Sequence, residues 1–144
     1  MSGVFITNHV LAGALIGDAL PPVPAVAVGF VSHLVMDNLP HYGGGGAPLH
    51  LPTARKDGLL GLLAIAGCTL AATPERRLPV LAGILGACLP DTDKLGEHFV
   101  GRSPWPPAFD RFHKRIQREQ LNRFPIEVGA ALTMSVLVVR LLPR

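Results

Sequence analysis

The chain reads as an all-α protein: a compact bundle of four to five helices, mostly transmembrane, with one amphipathic helix lying along the interface. Three observations predict this. The composition is 49% hydrophobic and only 16% charged, against roughly 25% charged in an average soluble domain, and the mean hydropathy is +0.38. The apolar residues gather into runs that prolines close. No stretch alternates with period two for long enough to predict a sheet. At 144 residues the chain makes one helical membrane domain, 1–144, large enough to bury a core.

The elements follow in order. A first segment runs from Val4 to Leu20 and ends at Pro21-Pro22. A second runs from Val23 or Pro24 to Leu39 and is stopped by Pro40. The third covers Asp57 to Ala72, closed by Thr73-Pro74, and the fourth covers Leu78 to Leu89, stopped by Pro90. The last covers Phe124 to Leu142, with Pro125 acceptable in its first turn. Apart from the last, these runs are 12 to 17 residues long, shorter than the ~20 of a comfortable span. Local thinning of the bilayer accommodates such segments, and a soluble helical bundle is the competing architecture. Cys68 and Cys88 lie singly inside apolar runs and read as packing residues, without a C-x-x-C signature. The N-terminus lacks the basic start of a secretory signal, although Ala25-Val26-Ala27 loosely imitates a cleavage site.

Small residues lead to polar ones at helical spacing. His9, Gly13 and Gly17 share a face, as do Ala25, Gly29, His33 and Asp37, and Gly83, Ala87 and Asp91. Such stripes let helix backbones approach closely inside a membrane. Close packing explains the glycines but not the ionisable groups at the ends.

An up-and-down arrangement sorts those groups to one face. With the N-terminus on one side, that side collects nine Lys/Arg from the loops and the other collects four. The positive side, and with it the N-terminus, is therefore predicted to be cytoplasmic. The same side receives His9, His33, Asp37, His41, Asp91, Asp93 and His113, whereas the opposite side receives Asp18 and Glu75.

Ionisable residues at the ends of apolar helices cost free energy unless paired or bound. The stretch His33-Leu34-Val35-Met36-Asp37-Asn38-Leu39-Pro40-His41 holds two imidazoles and a carboxylate. His33 and Asp37 are i, i+4, the spacing that lets two side chains bind one ion. His41 follows the helix-ending Pro40 and can fold back. Leu89-Pro90-Asp91-Thr92-Asp93 sets two carboxylates in a tight turn. Imidazoles with carboxylates suit zinc, manganese, iron or cobalt, and paired carboxylates allow two ions. His33, Asp37, His41 and Asp91 are the expected metal ligands, for one or two divalent ions with zinc foremost. His9, Asp93 and His113 are the expected acid/base groups or ligands of a second ion. Asn8, Asn38 and Thr92 would orient those ligands. Each also has a structural reading: His9 as a hydrogen-bonded packing residue, Asp93 beside Lys94 as a solvated helix end. His50 and His98 read as ordinary surface residues.

Phe109 to Arg118 is a basic amphipathic helix with Phe109, Phe112, His113 and Ile116 on one face. With Trp105 before it, at headgroup level, it is expected to rest on anionic lipid headgroups. A nucleic-acid surface would also use clustered Lys/Arg at pI ≈ 9.3, but the apolar surroundings favour the bilayer and no nucleic-acid partner is expected. The Gly43–Gly46 run lacks the context of a phosphate loop and reads as a hinge beside the site.

Asn8-His9, Ser32-His33…Asp37…Pro40-His41, Leu89-Pro90-Asp91-Thr92-Asp93 and Phe112-His113…Ile116-Gln117 together resemble a broad family of small bacterial and archaeal integral membrane proteins described as membrane-bound metal-dependent hydrolases. The H-x-x-x-D core is also similar to motifs of zinc-dependent phospholipase C and related nucleases, although their N-terminal Trp ligand is absent here. The resemblance implies a prokaryotic inner-membrane protein that hydrolyses phosphoester or lipid substrates. The alternative is a non-enzymatic membrane scaffold or partner-binding protein with a structural polar or metal cluster.

Overall fold

The apolar runs form helices whose ends are set by proline and by charges borrowed from neighbouring segments. The computed structural model describes residues 5–43 and 51–143, with the backbone alone for 51–54. Among the described residues, α1 is Ile6–Ala19, α2 Pro22–Asn38, α3 Leu51–Ala71, α4 Arg77–Cys88, α5 Thr92–Phe99, α6 Pro107–Ile116 and α7 Phe124–Leu141. Two three-residue strands, β1 Pro40–Tyr42 and β2 Arg118–Gln120, pair in parallel with His41 opposite Glu119. Among the described residues, one helical stretch, Leu121–Leu141, is long and apolar enough to cross a membrane by length and composition.

α1 occupies the centre, packed on α2, α3, α4 and α7, while α4 also packs on α2. Glycines permit this closeness. A methyl group built on Gly13 would lie 2.6 Å from the Gly83 carbonyl oxygen, and one on Gly29 would lie 2.5 Å from the same atom. Gly17 meets the Pro79 carbonyl in the same way. Gly13 therefore opposes Gly83–Ala87 while Gly17 opposes Pro79–Val80, so α1 and α4 run antiparallel. Val10, Leu11, Ala14, Val80, Ile84, Val138 and Leu142 fill the core around them.

Both ends of α1 are satisfied from other segments. At its start, Asp57 of α3 accepts from the Ile6 and Thr7 backbone N–H groups (2.7 and 3.3 Å) and from the Thr7 hydroxyl (2.9 Å). At its end, the Arg76 guanidinium donates to the Gly17 and Leu20 carbonyls (3.0 and 3.4 Å). A carboxylate at the N-terminus and a cation at the C-terminus match the helix dipole. The outer faces are apolar as well. Val28, Val31 and Val35 of α2, Leu59 to Leu63 except Gly61 on α3, and Leu132, Val136 and Val139 of α7 are exposed.

The elements differ from the sequence expectation in four places. The basic helix α6 is Pro107–Ile116 and not Phe109 to Arg118, with Arg118 opening β2. Asp91 to Val100 is not a plain loop: α5 forms within it, starting behind the Pro90 turn. The β1–β2 pair was not expected, because three-residue strands carry no periodic signal. α3 begins at Leu51, ahead of the expected Asp57. Gly44–Gly46 of the expected hinge, and His50, lie outside the described residues.

Candidate metal centre

The start of α1 and the ends of α2 and α4 meet at one end of the bundle, and α5 and α6 close over them. α6 is held there by aromatic packing. Phe30 of α2 contacts Trp105 and Phe109, with ring centroids 5.9 and 5.8 Å apart, and Trp105 stacks obliquely on Phe109 at 4.7 Å. The Trp105 indole N–H, expected among lipid headgroups, donates to the Thr92 hydroxyl at 3.0 Å. Thr92 thus pins the segment that carries α6. One turn beyond Phe109, His113 enters the interior fully buried. Phe112, expected on that inward face, is 48% exposed.

His33, Asp37, Asp91 and His113 bring one ligand atom each within 4.8 Å of all the others. His33 Nδ1 donates to the Ala87 carbonyl at 2.6 Å, and His113 Nδ1 donates to Asp93 Oδ2 at 2.8 Å. A ring nitrogen that donates is protonated, so each Nε2 is left as the coordinating atom. The two Nε2 atoms stand 3.2 Å apart. Asp37 Oδ2 lies 3.2 Å from that of His33 and 2.9 Å from that of His113, and Asp91 Oδ1 lies 3.7 Å from that of His33. A tetrahedron with metal–ligand bonds of about 2.0–2.1 Å has edges of about 3.3–3.4 Å. The four measured edges scatter around that value. Two imidazoles with outward N–H groups pinned, and two carboxylates beside them, form a donor set that fits a divalent transition metal.

The charges around the group follow its geometry. Burial would depress His113, but its hydrogen bonds with Asp37 and Asp93 outweigh that and lift it to about 9. Burial would raise the Asp91 carboxyl, yet the Lys94 ammonium, 2.6 Å from Oδ1, and His33 together hold it below the usual carboxylate range. Burial likewise opposes the charge on Lys94, and Asp91 and Asp37 more than compensate, raising it.

The other expected residues are placed around this group. His9 is buried and stacked on His33 with ring centroids 3.9 Å apart, its Nε2 3.4 Å from Asp37 Oδ1. Asp93 touches His113 and not the four-atom group directly. His41 is buried on β1 and outside the group; its Nδ1 donates to the Leu39 carbonyl at 2.8 Å. Asn8 donates to Glu127 Oε2 at 2.6 Å, tying α1 to α7, and Asn38 is exposed. Sequence reading gave no site role to Lys94, to the buried Glu127, or to Gln117, whose amide donates to Asp37 Oδ2 at 3.3 Å. Gln117 had a signal: it lies one helical turn after His113. Comparison with known protein families, curated proteins and solved structures returns no match.

Proposed function

We propose that the chain is a membrane-embedded, metal-dependent hydrolase whose His/Asp centre lies at the cytoplasmic face, acting on phosphoester or lipid substrates. The observation that carries this reading is the pair of Nε2 atoms and two carboxylate oxygens facing one point, each imidazole locked by its other nitrogen. His33, Asp37, Asp91 and His113 would hold the ion, zinc first among the candidates. When bound, such an ion acidifies a coordinated water and polarises a phosphoryl oxygen. Asp93 orients His113 and takes up the positive character of its ring. Asp91 is the most solvent-accessible of the ligands, its side chain 14% exposed, so substrate would enter past it. Lys94 stands there with a cation for an anionic substrate.

The membrane setting rests on the helix faces. α2, α3 and α7 are apolar on the faces they turn outward, and apolar patches of that extent in soluble monomers are rare. α1 and α4 are short for a span, about 21 and 18 Å at 1.5 Å per residue, and a locally thinned bilayer suits them. On α6, exposed Phe112 sits among Arg111, Lys114 and Arg115, the composition of a helix resting on anionic lipid headgroups.

One observation favours the second reading, a scaffold with a structural ion: four protein donors already complete a tetrahedral shell, as structural sites do. Elemental analysis of detergent-purified protein, followed by hydrolysis of a chromogenic phosphodiester, separates the two. Stoichiometric metal with chelator-sensitive turnover supports the hydrolase. Stoichiometric metal without turnover, in detergent and in anionic vesicles, supports the scaffold.

A further inference from the structure

The helix that starts at the metal centre, α5, carries an apolar surface that the fold leaves uncovered. Leu95 is 57% exposed, Phe99 76% and Val100 69%. A single exposed apolar side chain needs no explanation, but a contiguous group does. Asp91, Leu95 and Phe99 follow at i, i+4 and i+8, so the apolar stripe begins at a residue of the four-atom group. Val100 extends it at the end of the helix. The aromatic neighbour of Phe99 among the described residues is the adjacent His98, at 4.8 Å.

Backbone contacts build this tip; burial of its side chains does not. The Val100 and Arg102 N–H groups both donate to the Gly96 carbonyl, at 2.9 and 3.3 Å. Gly101 takes φ +76°, the left-handed conformation common just past a helix C-terminus. The chain then turns back so closely that a methyl group on Gly96 would lie 2.6 Å from the Arg102 carbonyl oxygen. Phe99 and Val100 are therefore presented outward by an ordered corner.

Cations adjoin the stripe. Arg102 follows the tip and is exposed. Lys114 of α6 reaches Glu97 of α5 at 3.9 Å, which sets the basic side of α6, with exposed Arg111 and Arg115, next to α5. An apolar tip beside clustered cations matches an anionic lipid surface. A second copy of the chain matches it poorly, because an isologous contact would bring the same cations together. Trp105, the residue expected at headgroup level, is packed on Phe30 and Phe109 and leaves that role open.

We propose that the Leu95, Phe99 and Val100 surface of α5 is the segment that dips into an anionic leaflet beside the centre. α5 has eight residues and is about 12 Å long. With its tip at the acyl boundary, Asp91 at its other end stands no more than that distance away, on the headgroup side. The proposal rests on the membrane reading given above. It makes the headgroup layer the side from which an anionic substrate reaches Asp91.

The test places a fluorophore on Phe99→Cys and, separately, on Leu62→Cys of the apolar α3 face, in the full chain in nanodiscs. Both positions are exposed, so neither change removes a core contact. The unsubstituted chain, with Cys68 and Cys88, serves as the labelling blank. Lipid brominated high on its acyl chains quenches a label in the leaflet, and acrylamide quenches one in water. In anionic discs, brominated lipid should quench position 99 at least twofold while acrylamide has little effect. In zwitterionic discs that lipid quenching should fall by at least half. Lipid quenching at 62 but not at 99 overturns the α5 proposal and leaves the membrane reading standing. No lipid quenching at either position removes the membrane reading, and the α5 surface with it. Equal quenching at 99 in both kinds of disc overturns the match to an anionic leaflet. Protection of position 99 from both quenchers shows a protein cover, a second copy included, and overturns the proposal too.

Discussion

His113 donates from Nδ1 to Asp93 Oδ2 at 2.8 Å, and that single contact turns its Nε2 onto Asp37 at 2.9 Å. Asp93 does for His113 what the Ala87 carbonyl does for His33. Asp93→Ala should leave a metal ligand with a free rotamer and an undefined tautomer, lowering metal affinity about 10–100-fold. Asp93→Asn still presents an acceptor and should lose less. Competition against a chromophoric chelator measures both; equal affinities in wild type and Asp93→Ala would remove Asp93 from the centre.

His113 also sets a pH dependence. Its pKa in the folded chain, about 9, stands above its ordinary 6.5, because Asp37 and Asp93 favour the charged ring over the opposing burial. For the metal-free protein, a raised value means that the contribution to stability is whole below about 6.5 and is lost as pH climbs through about 9. An ion competes for the same nitrogen, so metal affinity should rise over that window with release of a proton. Chemical denaturation with chelator, and metal titration without it, should therefore trend in opposite directions with pH. In His113→Gln both trends should flatten.

The glycine crossings are predicted to be intolerant where backbone faces backbone. Gly83→Ala places a methyl group against the Gly13 carbonyl and the Gly17 backbone, and neither can rotate away. Overpacking of this kind costs about 1–3 kcal/mol. Gly67 on α3 has nothing within 4 Å of the same position, so Gly67→Ala should be neutral or gain up to about 1 kcal/mol from helix propensity. Thermal unfolding in detergent reads both, and similar midpoints for the two variants would contradict the packing described.

Asp57 should behave as a cap although it sits 50 residues from the helix it caps. Asp57→Ala removes three acceptor contacts from the first turn of α1, a loss of about 0.5–2 kcal/mol. Because His9 is in that turn, hydrogen exchange should rise at Ile6–His9 before it rises in α4. Unchanged exchange there would show that the start of α1 is held by other contacts.

What could be read from the sequence follows from the range of each signal. His33 and Asp37 announce themselves because i, i+4 spacing on one apolar helix is a local fact. The helix stops at Pro40 and Pro90 are equally local. Helix capping across the chain by Asp57 and Arg76 is not, since nothing near either residue marks the distant partner. The expected His41 ligand came from adjacency in sequence, whereas the side chain lies on β1, opposite Glu119, and is not part of the four-atom group. His113 came from an amphipathic pattern, but its orienting partner Asp93 and the aromatic clamp that aims it are tertiary facts. Lys94 reads as a plain surface charge until Asp91 is placed beside it.

The central claim is that His33, Asp37, Asp91 and His113 hold a metal ion. X-ray absorption at the zinc edge, on protein loaded with one equivalent, tests it most directly. It should show four nitrogen or oxygen neighbours at about 2.0–2.1 Å, the outer scattering of two imidazoles and no sulfur. In His33→Ala the spectrum should lose an imidazole or the ion altogether. Hexa-aqua zinc in the wild type, or a spectrum unchanged by His33→Ala, would contradict it.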